Sequence, residues 1–433
     1  MDSKISRRRL LSDLSLSAAM TAAITPGTLF AQTENLKSKT DQRFLNVQDF
    51  GAAGDSVKDD TGAFQAALKM AAESTGGLFV PRGRYLISGN LEVPAGVQVE
   101  GVFCGPSARN PQQGSILLAT AGAGDPTGNP FILLRASSTL RGLTVFYPEQ
   151  KMKNPPVAYP WTIRGSGDNI SLIDVLLVNP YQGVDFGTVP AGRHFIKGLY
   201  GQPLYRGLLI DKCYDVGRIE NVHFWSFWGG WEGPLYSFMK SEAVAFVIGR
   251  TDWEYLTNCF CIGYRTGYKF VQTDSGSPNC VLTQCGSDLG PNAVRVENSQ
   301  PHAGLSFVNS QFMAGIEIAE TNSGPVKFTA CGFWGIPATD HHALLAGTGH
   351  TIFSNCHFIG WGQHDTKAPA IHAKRGGLTV TGCDFMDLGK AQLTIESDVD
   401  AALVYGNRFR GQELITNRAS GRSQVAMNIV SAR

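Results

Sequence analysis

The segment Ser354-Asn355-Cys356-His357-Phe358 is one copy of a short pattern that recurs along the chain and decides its fold. Each copy places a small or amide residue before a small residue, often with Phe two positions later. The first of these residues stands at positions 174, 221, 258, 284, 309, 330, 355, 382 and 406, with Gly142 starting the series. From 258 onward the steps are 26, 25, 21, 25, 27 and 24 residues. A period near 25 with strand-like alternation predicts a parallel β-solenoid with one coil per repeat.

The composition agrees with one long, regular β domain. The 433 residues include 50 glycines, and only 17% are charged. Lys and Arg (37) balance Asp and Glu (36), which argues against a nucleic-acid binder because such proteins carry a basic excess. The 43% hydrophobic content argues against a disordered chain. Because the body of the chain has no apolar run of 18 residues, we expect no integral membrane segment in the mature protein.

The nine cysteines are an odd number, so they cannot all pair in disulfides. Five of them fall on the repeat, at Cys259, Cys285, Cys331, Cys356 and Cys383. Strands of neighbouring coils stack at roughly 4.8 Å, so these thiols form one row along the axis. A metal site needs ligands that converge, which a row of equal steps does not supply. The spacing therefore predicts buried structural thiols, and we expect no metal there.

The N-terminal segment Ser6-Arg7-Arg8-Arg9-Leu10-Leu11 precedes a mildly apolar stretch that ends near Ala31. It resembles a twin-arginine export signal, which implies an exported protein that is periplasmic or secreted. The expected organisation is a signal at 1–31, a linker at 32–43, an N-terminal cap region at 44–76, a β-helix at 77–411 and a C-terminal tail at 412–433.

The segment after the linker carries a family resemblance, in Val47–Asp55, Asp59-Asp60-Thr61, Phe64–Leu68 and Gly76–Tyr85. These residues resemble the opening of the pectate-lyase-like superfamily that is related to glycoside hydrolase family 28. The resemblance implies an all-β fold, a right-handed single-stranded parallel β-helix with an N-terminal capping helix. Asp60 would be the N-cap of that helix, and its apolar face would close the open end of the solenoid.

Two long repeat steps, 174 to 221 and 221 to 258, predict long loops on early coils. With a third insertion, the expected loops are 146–166, 178–215 and 225–252. They are rich in aromatic residues, whose faces stack on sugar rings, and some of these aromatics are needed to pack the loops. The candidate substrate-binding residues are Trp161, Tyr181, Arg193, His194, Arg206, Trp228, Trp231 and Trp253.

Asp168, Asp215 and Asp252 each lie six residues before a repeat position. Coils in register would stack these carboxylates with neighbours about 5 Å apart. Stacked carboxylates repel, which raises the pKa of at least one and allows an acid beside a base. The other interpretation is that these aspartates bond to their own backbone in turns. We expect Asp215 and Asp252 to be the acid/base pair, with Asp168, Asp211 and Glu254 as further catalytic candidates.

Three functions remain open from the sequence. The first is a glycoside hydrolase that cleaves a polysaccharide without a cofactor. The second is a polysaccharide lyase acting on uronates, which could use calcium. The third is a non-catalytic glycan-binding or surface-attachment protein. Family 28 polygalacturonase motifs occur only as fragments such as Arg250-Thr251-Asp252-Trp253 and Gly349-His350-Thr351, which disfavours a true polygalacturonase. The expected partner is a polysaccharide or oligosaccharide, and a homotrimer is left open.

Overall fold

The computed structural model describes residues 44–106, 108–336, 339–419 and 421–432. The expected signal (1–31) and linker (32–43) lie outside the described residues. The described residues form a parallel β-solenoid of about 15 turns, so the predicted all-β parallel fold is confirmed. Among the described residues, no helix is both long and apolar enough to cross a membrane.

Each coil contributes strands to three parallel sheets. Sheet I contains Leu45–Asn46, Gly77–Val80, Gln98–Gly101, Thr139–Arg141, Ser171–Leu177, Phe195–Gly201, Gly217–Glu220, Glu254–Thr257, Cys280–Thr283, Leu305–Val308, Val326–Thr329, His350–Ser354, Gly376–Thr381, Val399–Tyr405 and Ser423–Ala426. Sheet II contains Asp55–Asp59, Gly83–Ile87, Ser115–Ala119, Leu143–Phe146, His223–Phe224, Phe260–Ile262, Gly286–Asp288, Gln311–Phe312, Gly332–Trp334, His357–Ile359, Asp384–Phe385, Arg408–Arg410 and Ile429–Ser431. Sheet III contains Leu91–Val93, Ile132–Arg135, Trp161–Ser166, Gln182–Phe186, Arg206–Ile210, Val244–Ile248, Thr266–Phe270, Asn292–Val296, Gly315–Ile318, Ala343–Leu345, Ile371–Ala373, Leu393–Ile395 and Ile415–Asn417.

The repeat positions are the corners between sheets I and II. Ser171–Leu177 and Phe195–Gly201 bend at Asp174 and Gly198 and so serve both sheets. Asn258, with φ 53°, is typical of the corner residues, all of which have left-handed backbone. Asn, Asp and Gly tolerate this conformation better than other residues, which explains the amide and small residues that mark the repeat. The other corners are Gly142, Asn221, Gln284, Asn309, Ala330, Asn355, Gly382, Gly406 and Met427.

The residues after each corner fill the interior. The five cysteines of the repeat are free and buried, as predicted, and their thiols donate to backbone carbonyls. The Phe two positions later stacks on its equivalent in the next coil: Phe333 and Phe358 have ring centroids 4.7 Å apart and planes 6° apart. Parallel sheets in register thus align identical residues into continuous apolar stacks, which are the core of the solenoid.

Three expected boundaries differ from the structure. Residues 178–215 are not one long loop, because Gln182–Phe186, Phe195–Gly201 and Arg206–Ile210 make a regular coil whose corner is Gly198. Its repeat, Lys197-Gly198-Leu199, lacks both the amide and the Phe, so the pattern missed it. The C-terminal tail is not loose, because Ile415–Asn417, Ser423–Ala426 and Ile429–Ser431 add a further coil. The solenoid also begins before residue 77, because Leu45–Asn46 pairs with Gly77–Val80.

Two α-helices lie on the solenoid. Helix α1 (Thr61–Glu73) buries Phe64, Ala67, Leu68 and Ala71, the apolar face expected for the capping helix. Asp60 occupies the N-cap position, but its carboxylate accepts from the backbone of Ala53 and Gly54 instead of capping the helix. Asp59 accepts from the Thr61 N–H in its place. Helix α2 (Gly233–Glu242) lies within the expected 225–252 insertion, and residues 147–160 form the loop expected near 146–166.

The phenylalanine stack gives a stability prediction. Phe333→Ala removes a fully buried ring and should cost about 3–5 kcal/mol of unfolding free energy. Trp334→Ala is the matched control, because that neighbouring side chain points outward and is 48% exposed; it should cost less than about 1 kcal/mol. Urea unfolding followed by circular dichroism measures both. Equal losses in the two variants would contradict the inward stack.

Candidate functional site

The predicted carboxylate row lies in the turns that lead from sheet III into sheet I. The coil at Gly198 separates Asp168 from Asp215, so these two aspartates are two coils apart instead of one. Arg193 lies between them: its Nη2 is 2.6 Å from Asp168 and its Nη1 is 3.2 Å from Asp215. The expectation of adjacent, mutually repelling carboxylates is therefore wrong for this pair, because an arginine from the missed coil neutralises both.

Asp252 is neutralised in the same way. The two guanidinium nitrogens of Arg250 lie 2.5 and 2.8 Å from its two carboxylate oxygens. This bidentate contact lowers the pKa of Asp252. The pKa of Asp215 is also lowered, by the Val216 backbone N–H and then by Arg193. Both carboxyls are thus held in the charged form, the reverse of what a general acid requires.

Asp211 shapes a turn. Its Oδ1 accepts from the backbone N–H groups of Lys212 and Arg250 and from the Thr273 hydroxyl, at 2.8, 2.7 and 3.0 Å. The side chain is almost fully buried, with 7% exposed. These contacts bind the aspartate to its own coil and to the next two. The turn interpretation therefore describes Asp211.

His194 and Glu254 lie inside the solenoid, not on its surface. Both are fully buried, and His194 Nε2 is 2.9 Å from Glu254 Oε1. Burial opposes a charged imidazole, yet the Glu254 carboxylate raises the pKa of His194 well above its usual value. Together with Cys213 they form a cluster of three side chains that could bind a metal ion. One ligand atom of each (a His nitrogen, the Cys sulfur and a carboxylate oxygen) lies within 4.8 Å of the other two. A buried cluster of this kind is out of reach of a polysaccharide.

The predicted sugar-stacking residues divide into packing and exposed groups. Trp161 and Trp228 are buried, and Tyr181 stacks against Tyr205 at 5.1 Å. Arg206 lies over the same Tyr205 ring at 5.0 Å, on the outer side of sheet III. Trp231 and Trp253 remain exposed, at 43% and 51% of their surface. They lie in different parts of the coil, since Trp253 belongs to a turn and Trp231 to the segment before α2.

An aromatic surface covers the outer side of sheet II next to α2. His223 stacks near Trp225 at 4.4 Å and meets Phe260 edge-on at 5.3 Å. Trp225 in turn lies 4.9 Å from Phe227. Trp231 and Tyr236 meet edge-on at 6.0 Å. We call these residues the aromatic surface; its members are His223, Trp225, Phe227, Trp231, Tyr236 and Phe260.

Gly263 joins the two parts of the aromatic surface. It follows the Phe260 strand and has φ 85°, a conformation that favours glycine. A Cβ at this position would lie 2.8 Å from the Tyr236 ring and 3.6 Å from Trp231. The glycine therefore lets both rings close over the turn beside Phe260.

Two titratable groups on this surface have pKa values shifted by burial. Burial lowers the pKa of His223, so its imidazole is neutral at pH 7 and can accept a proton. Burial raises the pKa of Asp288 to about 6, so this carboxyl keeps its proton in mildly acidic solution. Strand pairing runs from His223 to Phe260 to Gly286, and Asp288 is two residues further on. His223 is therefore beside Phe260, Asp288 is beside Ile262, and the two groups are two coils and two residues apart on the outer face.

His223 and Asp288 were not among the residues predicted from the sequence. Both lie outside the longest insertions, on strands whose inward residues carry the repeat. The available signal was the period-2 alternation after each corner, which turns His223 outward while Phe224 is buried. Burial shifts their pKa values, and the repeat does not reveal how deeply an outward side chain is buried.

Two cations flank the aromatic surface. The Arg109 guanidinium approaches Gly230, where a Cβ would lie 3.3 Å from Nη2. Lys240 of α2 lies over the Tyr236 ring, with its Nζ 5.7 Å from the centroid. Arg109 and Lys240 therefore place positive charge beside the rings, in two segments that are far apart in sequence.

The bridging role of Arg193 gives a second prediction. Arg193→Gln should raise the pKa of Asp215 toward its ordinary value, so that Asp215 becomes protonated at a higher pH than in the wild type. The measurement is a carbon-13 NMR titration of the carboxyls, with Asp215→Asn to assign the signal. Lys197→Gln is the control, because Lys197 pairs with Glu220 instead. An unchanged Asp215 titration in Arg193→Gln would contradict the bridge.

Comparison with known proteins places this geometry in context. A family model described as "Rhamnogalacturonase A/epimerase, pectate lyase-like" matches residues 44–164. Mannuronan C5-epimerase AlgE5 of Azotobacter vinelandii is 52% identical over 48 residues, which are 11% of this chain and 5% of that protein. Alginate lyase 7 of the same organism is 46% identical over 55 residues, 12% of this chain and 6% of the lyase. The chain thus spans a small fraction of the curated relatives that it matches.

Solved structures share the fold over nearly the whole chain. The A-module of mannuronan C-5 epimerase AlgE6 from A. vinelandii aligns with a TM-score of 0.51 and 16% identity, covering 90% of this chain and 99% of the module. Gene product 12 of bacteriophage phi29 aligns with a TM-score of 0.59 and 12% identity, covering 93% of this chain and 57% of that protein. At these identities the likeness concerns the fold alone. Residues 44–164 thus match a pectate-lyase-like family model, and the chain shares the parallel β-helix fold of these solved structures.

Proposed function

We propose that this protein is a carbohydrate-active enzyme that acts on a uronate-containing polysaccharide at the aromatic surface. One observation carries the proposal: rings, cations and two groups with shifted pKa values lie together on the outer side of sheet II. Aromatic faces stack on the apolar C–H faces of sugars, and exposed Trp231 offers such a face. Arg109 and Lys240 suit the carboxylates of uronates.

The relatives support an acidic polysaccharide as the substrate class. Mannuronan epimerases and an alginate lyase are named for uronate polymers, and they match short segments of this chain. Those segments cover only about a tenth of the chain, so the proposed substrate class rests mainly on the chemistry of the aromatic surface. Such a substrate also agrees with the export signal expected at residues 1–31, and we propose a periplasmic or secreted location with it.

The shifted groups favour proton transfer over hydrolysis by the turn carboxylates. Asp215 and Asp252 are held ionised by arginines, so neither supplies the protonated acid that glycoside hydrolysis requires. Neutral His223 is suited to remove the proton at C5, next to the uronate carboxylate. The electron pair of that C–H bond then forms the C4–C5 double bond as the C4–O bond breaks. Protonated Asp288 would give its proton to the leaving oxygen.

In this reaction the sugar would lie across Phe260 and Ile262, which are beside the base and the acid respectively. Arg109 and Lys240 would neutralise the carboxylate and stabilise the enolate-like charge that develops on it. In the proposed elimination, Arg109 and Lys240 therefore neutralise the uronate carboxylate, a role that calcium would have in a lyase of another type.

Replacement of His223 tests the proposed base. His223→Gln should lower kcat by about 100-fold or more, because general-base catalysis contributes about that factor. The assay follows the ultraviolet absorbance of unsaturated uronates on alginate and pectate. His357→Gln is the matched control, because His357 is also exposed on an outward position of sheet II, beside Asp384. Similar losses in both variants, or no absorbance from the wild type on either polymer, would contradict the proposal.

The two pKa shifts predict an acidic optimum. Activity should fall at low pH as His223 gains a proton, and it should fall above pH about 6 as Asp288 loses one. Asp288→Asn should lower the rate and remove the decline on the alkaline side, whereas Asp384→Asn should leave the profile unchanged. A profile of kcat/KM against pH measures this. An alkaline decline that persists in Asp288→Asn would contradict the assignment of the acid.

A further inference from the structure

The buried cluster of His194, Cys213 and Glu254 is left unused by the chemistry at the aromatic surface. His194 precedes its sheet I strand, and Glu254 begins another strand two coils later. Gly217 stands between them in register: it pairs with Glu254, and the residues after it pair with the His194 strand. A Cβ on Gly217 would lie 2.3 Å from Glu254 Oε2 and 2.6 Å from His194 Cε1. The missing side chain leaves the space in which the two side chains meet.

The hydrogen bonds of His194 define which nitrogen faces the cluster. Nδ1 is 2.8 Å from the Ala191 carbonyl, which accepts hydrogen bonds only, so Nδ1 carries a proton. Nε2 then faces Glu254 Oε1 at 2.9 Å. In a neutral imidazole this nitrogen has a lone pair, and two lone pairs at that distance repel. The contact requires either a proton or a metal ion between the two atoms.

A second observation points to a metal ion. Among the described residues, Glu254 Oε2 is a buried oxygen without a hydrogen-bond partner. A proton on His194 satisfies only Oε1 and leaves this oxygen orphaned in a fully buried setting, which is costly. A metal ion can bind the carboxylate through either oxygen, and it would also use the thiolate of Cys213. Backbone carbonyls commonly accept from the second nitrogen of a ligating histidine, as Ala191 does here.

We propose that His194 Nε2, Cys213 Sγ and a Glu254 carboxylate oxygen bind a zinc ion inside the solenoid. Zinc takes nitrogen, sulfur and oxygen ligands at about 2.0–2.3 Å in tetrahedral geometry, which separates ligand atoms by roughly 3.2–3.8 Å. The ligand atoms of the cluster lie within 4.8 Å of one another, so small side-chain movements suffice. The two negative ligands balance the charge of the ion.

Cys280 neighbours the cluster but is not one of its three ligands. Its strand pairs directly with the Glu254 strand, and its side chain is buried. It stands outside the row of five repeat cysteines, as does Cys213. The zinc ion would thus link coils that carry the Arg193 and Arg250 turns.

Metal content of the purified full chain tests the proposal. The protein, produced with zinc and then passed through a chelating resin, should retain about one zinc per chain by mass spectrometry. The Cys213→Ser variant should retain no more than about one tenth of the zinc that the wild type retains. Cys331→Ser is the matched control, because Cys331 is equally buried but belongs to the cysteine row. A metal-free wild type, or equal zinc in the two variants, would overturn the site.

A measurement on the wild type keeps the test decisive if Cys213→Ser fails to fold. Chain produced with cobalt in place of zinc should show a thiolate-to-cobalt charge-transfer band, and strong chelation during heating should lower its Tm. The absence of the band would overturn the proposal, since a buried His–Glu ion pair alone gives neither signal. Activity on polysaccharide does not enter this test.

Discussion

The structure depends on the stacking of parallel coils in register, each separated from the next by the strand spacing of about 4.8 Å. From Gly142 onward, each coil turns from sheet I to sheet II through a left-handed residue such as Asn258 or Gly382, and this corner sets which later side chains point inward. The residue after the corner is a small thiol in several coils, and the next inward residue is a phenylalanine. Because equivalent residues stack, one choice of residue repeated along the chain builds the whole core.

The same register separates two kinds of chemistry. Inward positions near the start of sheet I bring His194 and Glu254 together across Gly217, where no water can solvate them. Outward positions of sheet II carry His223, Phe260 and Asp288, whose side chains are only partly buried. A group inside the coil can hold an ion or an ion pair, whereas a polysaccharide can reach only the outside. Whether a titratable group can act on a substrate therefore depends on whether it occupies an inward or an outward position of its strand.

The corner positions and the cysteine row could be predicted because each depends on local sequence that recurs every 25 residues or so. The same pattern failed at Gly198, where neither an amide nor a phenylalanine marks the coil. Because this coil was not counted, Asp168 and Asp215 were expected on neighbouring coils, although they lie two coils apart. The same omission also hid Arg193, whose position between them comes from the missed coil. His223 and Asp288 could not be found from the repeat, because burial shifts their pKa values and the repeat does not reveal how deeply outward side chains are buried.

We assign the substrate chemistry to the aromatic surface and not to the aspartates of the turns. The most direct measurement is the activity of the double variant Asp215→Asn, Asp252→Asn on the polysaccharide that the wild type converts. Both aspartates are paired with arginines and lie in turns between sheets III and I, away from the outer side of sheet II. We predict that the double variant retains kcat within about twofold of the wild type. A loss of activity comparable to that of His223→Gln would contradict the account.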